Sequence, residues 1–256
     1  MYPWLHLGPV YLSTYSLLFL AAFMVGGYIT YRQALRLGRG TEEMLQVALA
    51  ALGGGLVGAK LSMLIFLGPG TFIKDLPVLW YSGQAWTGGF FGGYAGVLLI
   101  KHWRHITYST GDVFALGLPI AQAIGRMGNL LGGDPMGLPS SLPWAVMTRA
   151  GLRQPSPLYE LILDLALAYF ILRLRDHMPR AGDLFKFYIV GYCSLRFIVD
   201  FTRDDPRFWL NLTLVQLLYV PAILGFGWQL LRSYQLQQAA LRTAPLSVTG
   251  HSAEIR

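Results

Sequence analysis

A chain of 256 residues that is 54% hydrophobic and 13% charged, with a mean hydropathy of +0.45, carries about half the charge of an ordinary soluble domain. That balance excludes a water-soluble globular protein and predicts an all-α integral membrane protein. The formal charge of +7 does not point to nucleic acid, because the basic residues are scattered through short loops, where they suit anchoring against anionic lipid.

Apolar stretches long enough to span recur at roughly 9–30, 44–67, 86–100, 111–131, 157–173, 184–200 and 212–231, which predicts about seven transmembrane helices. The first ten residues lack lysine and arginine, so helix one reads as retained rather than cleaved. Tyr15, near its start, reads as an interfacial or a packing residue. In helix two, Gly54 and Gly58 are spaced as a small-xxx-small contact. Lys60 follows, a charge that pairs internally or snorkels. Helix three carries Trp86-Thr87-Gly88-Gly89-Phe90-Phe91-Gly92-Gly93-Tyr94. Its glycines either permit close helix packing or break the helix beside a cavity.

Helix four ends in the stretch around which the chain is organised, Gly125-Arg126-Met127-Gly128-Asn129-Leu130-Leu131-Gly132-Gly133-Asp134-Pro135-Met136-Gly137. Gln122, Arg126 and Asn129 share one helix face. A guanidinium near hydrocarbon is expensive, and so is paired, wet or functional. Arg126 offers a planar fork suited to a phosphate or carboxylate, or it snorkels and pairs with Asp134. Residues from about 132 to 155 form a loop or small cap. Helix five opens with Ser156 as N-cap and Pro157 at the first helical position. Glu160 holds a neighbouring arginine or favours the helix N-terminus. In helix six, Tyr192, Arg196 and Asp200 are spaced by four with Arg203 three later, again one face. Arg196 and Asp200 could neutralise each other, whereas two arginines on two helices would make an anion site in a low-dielectric wall. The single cysteine, Cys193, excludes an internal disulfide and a cysteine metal cluster and reads as a buried inert thiol.

Loop charge sets the orientation. Arg32, Arg36, Arg39, Lys101, Arg104, Arg173, Arg175, Arg180, Lys186, Arg232, Arg242 and Arg256 fall on one side, against Lys74, Arg149, Arg153, Arg203 and Arg207 on the other. The excess marks the cytoplasmic side and places the N-terminus outside and the C-terminus inside. Trp80, Trp86, Trp144 and Trp209 then lie in an outer aromatic belt. Residues 1–232 form the transmembrane domain with its periplasmic cap, and 233–256 a polar, frayed cytoplasmic tail.

These residues together resemble the prolipoprotein diacylglyceryl transferase family, over about Gly8 to Leu231. The most specific part is Gly125-Arg126-Met127-Gly128-Asn129 with Gly137 beyond. Support comes from Gly-Pro-Val through Tyr15, Gly58-Ala59-Lys60-Leu61, Pro155-Ser156-Pro157-Leu158-Tyr159-Glu160, and Tyr192 through Arg203. Gly132 and Asp134 stand where the family signature runs Asn-x-Glu. Asp200 stands for a glutamate, and Gln154 for a histidine. Tyr94 is the nearest match, shifted by one residue, to an aromatic or histidine position of helix three. The resemblance implies a bacterial inner-membrane enzyme of seven helices with its active site toward the periplasm. It would transfer the diacylglyceryl group of phosphatidylglycerol to the lipobox cysteine of a preprolipoprotein signal peptide and release glycerol-1-phosphate. It implies Arg126 and Arg196 as catalytic, and Tyr15, Asn129, Asp134, Glu160, Tyr192, Asp200, Arg203 and Tyr94 as substrate-binding, with no metal or cofactor. Membrane lipid is a partner and nucleic acid is not. The alternative is a divergent relative that binds anionic phospholipid without chemistry or serves another acceptor.

Overall fold

The computed structural model describes residues 4–7, 10–67, 86–133, 136–148 and 150–243, which are mostly helical. A hairpin of β1 (Trp4–Leu7) and β2 (Val10–Ser13) leads into α1 (Thr14–Arg36), followed by α2 (Thr41–Leu67) and α3 (Trp86–Trp103). A single turn, α4 (Gly111–Phe114), precedes α5 (Gly117–Gly132). A second hairpin, β3 (Val146–Thr148) with β4 (Gly151–Arg153), runs into α6 (Ser156–Leu174). Then come α7 (Asp183–Val199), a 3-10 turn (Asp200–Thr202) and α8 (Leu214–Thr243). Among the described residues three stretches, Thr14–Arg36, Glu42–Ser62 and Leu214–Arg242, are long and apolar enough to cross a membrane. The 16 residues of α5 and 17 of α7 reach only about 24–26 Å at 1.5 Å per residue, short of a hydrocarbon core of ~30 Å.

The structure moves four of the expected boundaries. Helix one begins at Thr14 rather than near residue 9, because Val10–Ser13 pairs with Trp4–Leu7 and the Ser13 hydroxyl accepts from Ser16 N at 3.3 Å as an N-cap. The expected helix over 111–131 is divided between α4 and α5. Pro119, in the first turn of α5, would clash with the carbonyl of Ala115 in a continuous helix, and the chain breaks at Ala115 and Leu116. Ser156 does not cap α6. The cap position falls on Pro155, and the Ser156 hydroxyl turns instead to Thr202 Oγ1 at 2.9 Å. Helix α8 runs on to Thr243, past residue 231, and Ser233 is buried within it.

The glycines of α3 pack rather than break. Gly54 and Gly58 of α2 meet Gly88, Gly92 and Gly96 of α3 backbone to backbone, and a Cβ on Gly92 would lie 2.7 Å from Gly58 Cα. The missing side chains let the two helices approach closely enough for dense van der Waals contact, the dominant attraction where lipid removes the hydrophobic drive. Their outward faces stay apolar, with Leu49, Leu56, Leu61, Phe91 and Leu99 exposed.

The main core lies among α4–α8, where Leu116, Leu167, Ile171, Ile189, Tyr192 and Tyr219 are buried together. The buried residues of α6 are Ser156, Pro157, Glu160, Asp164, Leu167, Ala168 and Ile171, a stripe at helical spacing. It is polar at the N-terminal end and apolar at the other. The opposite face exposes Ile162, Leu165, Tyr169 and Phe170. A helix apolar on its exposed face as well as in its core suits a lipid surround. At the far end, Asp112 accepts from Gly182 N at 2.5 Å and Phe185 N at 2.9 Å, satisfying two donors at the start of α7. Arg36 pairs there with Asp176, whose carboxyl that hydrogen bond holds below the usual carboxylate range.

Candidate functional site

Glu160 is the centre of the polar end. Its side chain is 2% exposed and lies one turn into α6. Arg126 of α5 approaches it with Nε 2.5 Å from Oε2. Arg196 of α7 pairs with its other oxygen, and Arg203 follows with Nη1 3.4 Å from that oxygen. Two more carboxylates close the cluster. Asp200 lies 2.9 Å from Arg196 Nη2 and 4.0 Å from Arg203 Nε, and Asp205 lies 2.8 Å from Arg203 Nε. The three guanidinium side chains are only 14–18% exposed, so this is a low-dielectric network in which an unpaired charge is costly.

The helices set this geometry. Arg126 lies one turn beyond Gln122, whose Oε1 accepts from the Tyr188 hydroxyl at 3.0 Å. That bond fixes the facing of α5 on α7. Tyr188 stacks on Tyr192 at 5.9 Å, and Arg196 stands one turn further along the same face. From α8, Tyr219 is buried in the same cluster as Tyr188 and Tyr192. Helix α8 is itself registered by a reciprocal capping box. Thr213 Oγ1 accepts from Gln216 N at 3.1 Å while Gln216 Oε1 accepts from Thr213 N at 2.9 Å. Gln216 Nε2 then donates to Phe197 O at 2.9 Å.

The segment after α5 is sewn to the same end. Gly133 closes α5 at φ +83°, a left-handed cap that glycine adopts without strain. Gly137 N donates to Gln154 O and Leu138 N to Thr202 O, each at 2.8 Å. A Cβ on Gly137 would run into Ser156 Oγ and Thr202 O. Arg153 Nη1 adds bonds to Gly137 O at 3.2 Å and to Asp204 at 3.1 Å.

The structure therefore brings together Arg126, Glu160, Arg196, Asp200 and Arg203, with Tyr192 buried below them. Arg196 and Asp200 do neutralise each other in part, and Glu160 holds arginines rather than only favouring its helix end. Asn129 is half-buried on α5, one turn beyond Arg126 and toward the helix end. Tyr15 reaches α5, where its ring edge would lie 3.4 Å from a Cβ on Gly128, but it is 43% exposed and stacks on Phe19. Tyr94 is 53% exposed on α3, and none of the cluster's ion pairs includes it. Asp134 lies outside the described residues, as do Lys74, Trp80 and the side chain of Trp86. Trp144 is exposed and donates to the Tyr159 hydroxyl at 2.7 Å.

Asp164, Gln216 and Tyr219 are participants the sequence reading missed. Asp164 is 4% exposed and sits four residues after Glu160 on the same face. Among the described residues its Oδ2 has no hydrogen-bond partner. An acid in an apolar helix, at i+4 from another acid, was the available signal.

What this arrangement can do chemically is hold a phosphate. No hydrogen bond among the described residues uses either terminal nitrogen of Arg126, so its planar pair of amino groups is available beside two further guanidiniums. Comparisons with known proteins agree with a phospholipid-handling membrane enzyme. The family model described as prolipoprotein diacylglyceryl transferase matches residues 3–232. A protein of Photobacterium profundum named phosphatidylglycerol–prolipoprotein diacylglyceryl transferase is 30% identical over 250 residues, covering 91% of this chain and 93% of its own. One of Vibrio parahaemolyticus with the same name is 30% identical, with 93% of each chain covered. One of Bordetella avium is 30% identical over 80% of this chain and 82% of its own. With a family match over almost its whole length and relatives of that name at 30% identity, this chain belongs to the prolipoprotein diacylglyceryl transferase family.

Proposed function

We propose that the chain transfers the diacylglyceryl group of phosphatidylglycerol to the lipobox cysteine thiol of a preprolipoprotein. The observation that carries this reading is the convergence of Arg126, Arg196 and Arg203 on Glu160. The cysteine thiolate attacks the glyceryl carbon that bears the phosphate oxygen. A carbon–sulfur bond forms as that carbon–oxygen bond breaks, and glycerol-1-phosphate leaves with the bonding pair. The proton lost by the thiol balances the charge gained by the phosphate. Charge builds on the leaving oxygens, so donors already aimed at them lower the barrier without reorganising. Arg126 and Arg196 fill that role, with no metal or cofactor required. Asn129 and Tyr192 position the headgroup, and Glu160, Asp200 and Arg203 hold the two arginines in place. Tyr15 and Tyr94 flank the lipid path, and Asp134 is a further substrate-binding residue in this reading. In this reading seven helices cross the inner membrane, with the N-terminus and the cluster toward the periplasm and the C-terminus in the cytoplasm.

The test has two arms. Purified protein given phosphatidylglycerol and a lipobox peptide should yield the thioether-linked diacylglyceryl peptide. In a strain depleted of the transferase, the wild-type chain should restore growth and Arg126→Ala should not. Co-purifying phospholipid with no thioether product would instead assign the fold to anionic-lipid binding alone.

A further inference from the structure

A second basic site lies at the opposite end of the bundle. A recess of 310 Å³ is lined by Arg180, Lys186, Gln229, Arg232, Ser233 and Leu236. Three segments build it, namely the α6–α7 turn, the first turn of α7 and the C-terminal half of α8. Its floor is Asp183, which is fully buried. Both oxygens of that carboxylate are occupied. Oδ1 is 3.0 Å from Lys186 Nζ and Oδ2 accepts from the Ser233 hydroxyl at 2.5 Å. Among the described residues no ion pair includes Arg180 or Arg232. Three cations therefore face one carboxylate, which leaves the recess with a surplus of two positive charges. The wall on α8 is apolar where it would meet lipid, with Trp228, Leu231 and Leu236 all exposed.

We propose that this recess binds the phosphate of an anionic phospholipid from the leaflet opposite the arginine cluster. Paired guanidiniums match a phosphate's oxygens, and the exposed leucines and tryptophan of α8 accept the glycerol and upper acyl chains. The chain is a membrane protein, so lipid is the phosphate source at hand at high local concentration, and each basic side chain near an anionic leaflet adds to its capture. The site is separate from Arg126 and Arg196, and occupancy there serves to fix α7 against α8 rather than to supply substrate.

The test reconstitutes the full chain in phosphatidylcholine vesicles doped with diazirine-bearing phosphatidic acid, and maps photolabelled peptides by mass spectrometry. Label is expected on the peptides that carry Arg180–Lys186 and Gln229–Leu236. The Arg180→Gln/Arg232→Gln double variant should reduce it about 25-fold, the effect of two lost charges at a membrane surface, while leaving label near the Arg126 cluster unchanged. Arg180→Lys/Arg232→Lys, which keeps both charges, should retain most of it and shows that the fold survives substitution there. Equal labelling of the glutamine variant, or equal labelling by a phosphatidylcholine probe, overturns the proposal. Millimolar inorganic phosphate that abolishes the label assigns the recess to a soluble anion and overturns it too.

Discussion

Replacing Glu160 with glutamine tests the logic of the cluster, because the substitution keeps the shape and removes the charge. Its effect is uneven across the three arginines. Arg196 keeps Asp200 at 2.9 Å and Arg203 keeps Asp205 at 2.8 Å, but Arg126 loses the one carboxylate with which it pairs among the described residues. Breaking a buried ion pair from one side costs about 3–5 kcal/mol. With Arg126 still 18% exposed, water recovers part of that, so the low end, about 3 kcal/mol, is the expected loss. For a chain of this size each kcal/mol moves the melting midpoint by about 2–4 °C, so Glu160→Gln should melt about 6–12 °C below wild type in detergent. Adding Arg126→Gln removes the stranded cation, and the double variant should fall short of the sum of the single losses by about 1–3 kcal/mol. A melting midpoint unchanged in Glu160→Gln, or losses that simply add, would refute the view that one carboxylate organises the site.

Other substitutions probe the remaining parts. Arg126→Lys keeps the charge but loses the planar pair of donors, and should cut turnover at least about 100-fold, as removing one oxyanion donor does, with binding of the lipobox peptide retained; single-turnover thioether formation reads it. Gly58→Val drives a side chain into Gly88 O and Gly92 Cα and should collapse the yield of folded protein, whereas Gly53→Ala, with nothing within 4 Å, should raise stability by up to about 1 kcal/mol. Thr213→Ala removes the capping hydroxyl of α8 and should cost about 1 kcal/mol in thermal unfolding.

The arginines of the site were legible in the sequence because a charge inside an apolar helix is rare enough to ask for a reason, and because spacing by four states which side chains share a face. Spacing says nothing about which face meets which helix. It could therefore offer Glu160 as a partner or as a helix-end charge, and only the packing of α5 and α7 onto α6 decides that it serves three cations. Tyr15 and Tyr94 show the opposite limit, since a tyrosine near an interface has the same local pattern whether it lines a site or faces lipid. The α3 glycines allowed two readings until the matching ridge on α2 was seen, and that ridge was half visible as Gly54 and Gly58. The break before α5 was written in Pro119, but the uninterrupted hydropathy across 111–131 outweighed it. Asp164 stands outside the motifs that hold Glu160 and Arg196, so its place beside them shows only in the packed structure.

The α2–α3 pair has one further consequence. Two neighbours that bury their small residues in each other are held together by that seam, even though Met44 and Val47 of α2 also pack with Ala34 of α1 and Val113 of α4. Such a pair can close on itself in the bilayer before α5 to α8 are made. Changes on its outer surfaces are then matters of lipid taste, while a single added methyl group along the seam reaches the whole assembly.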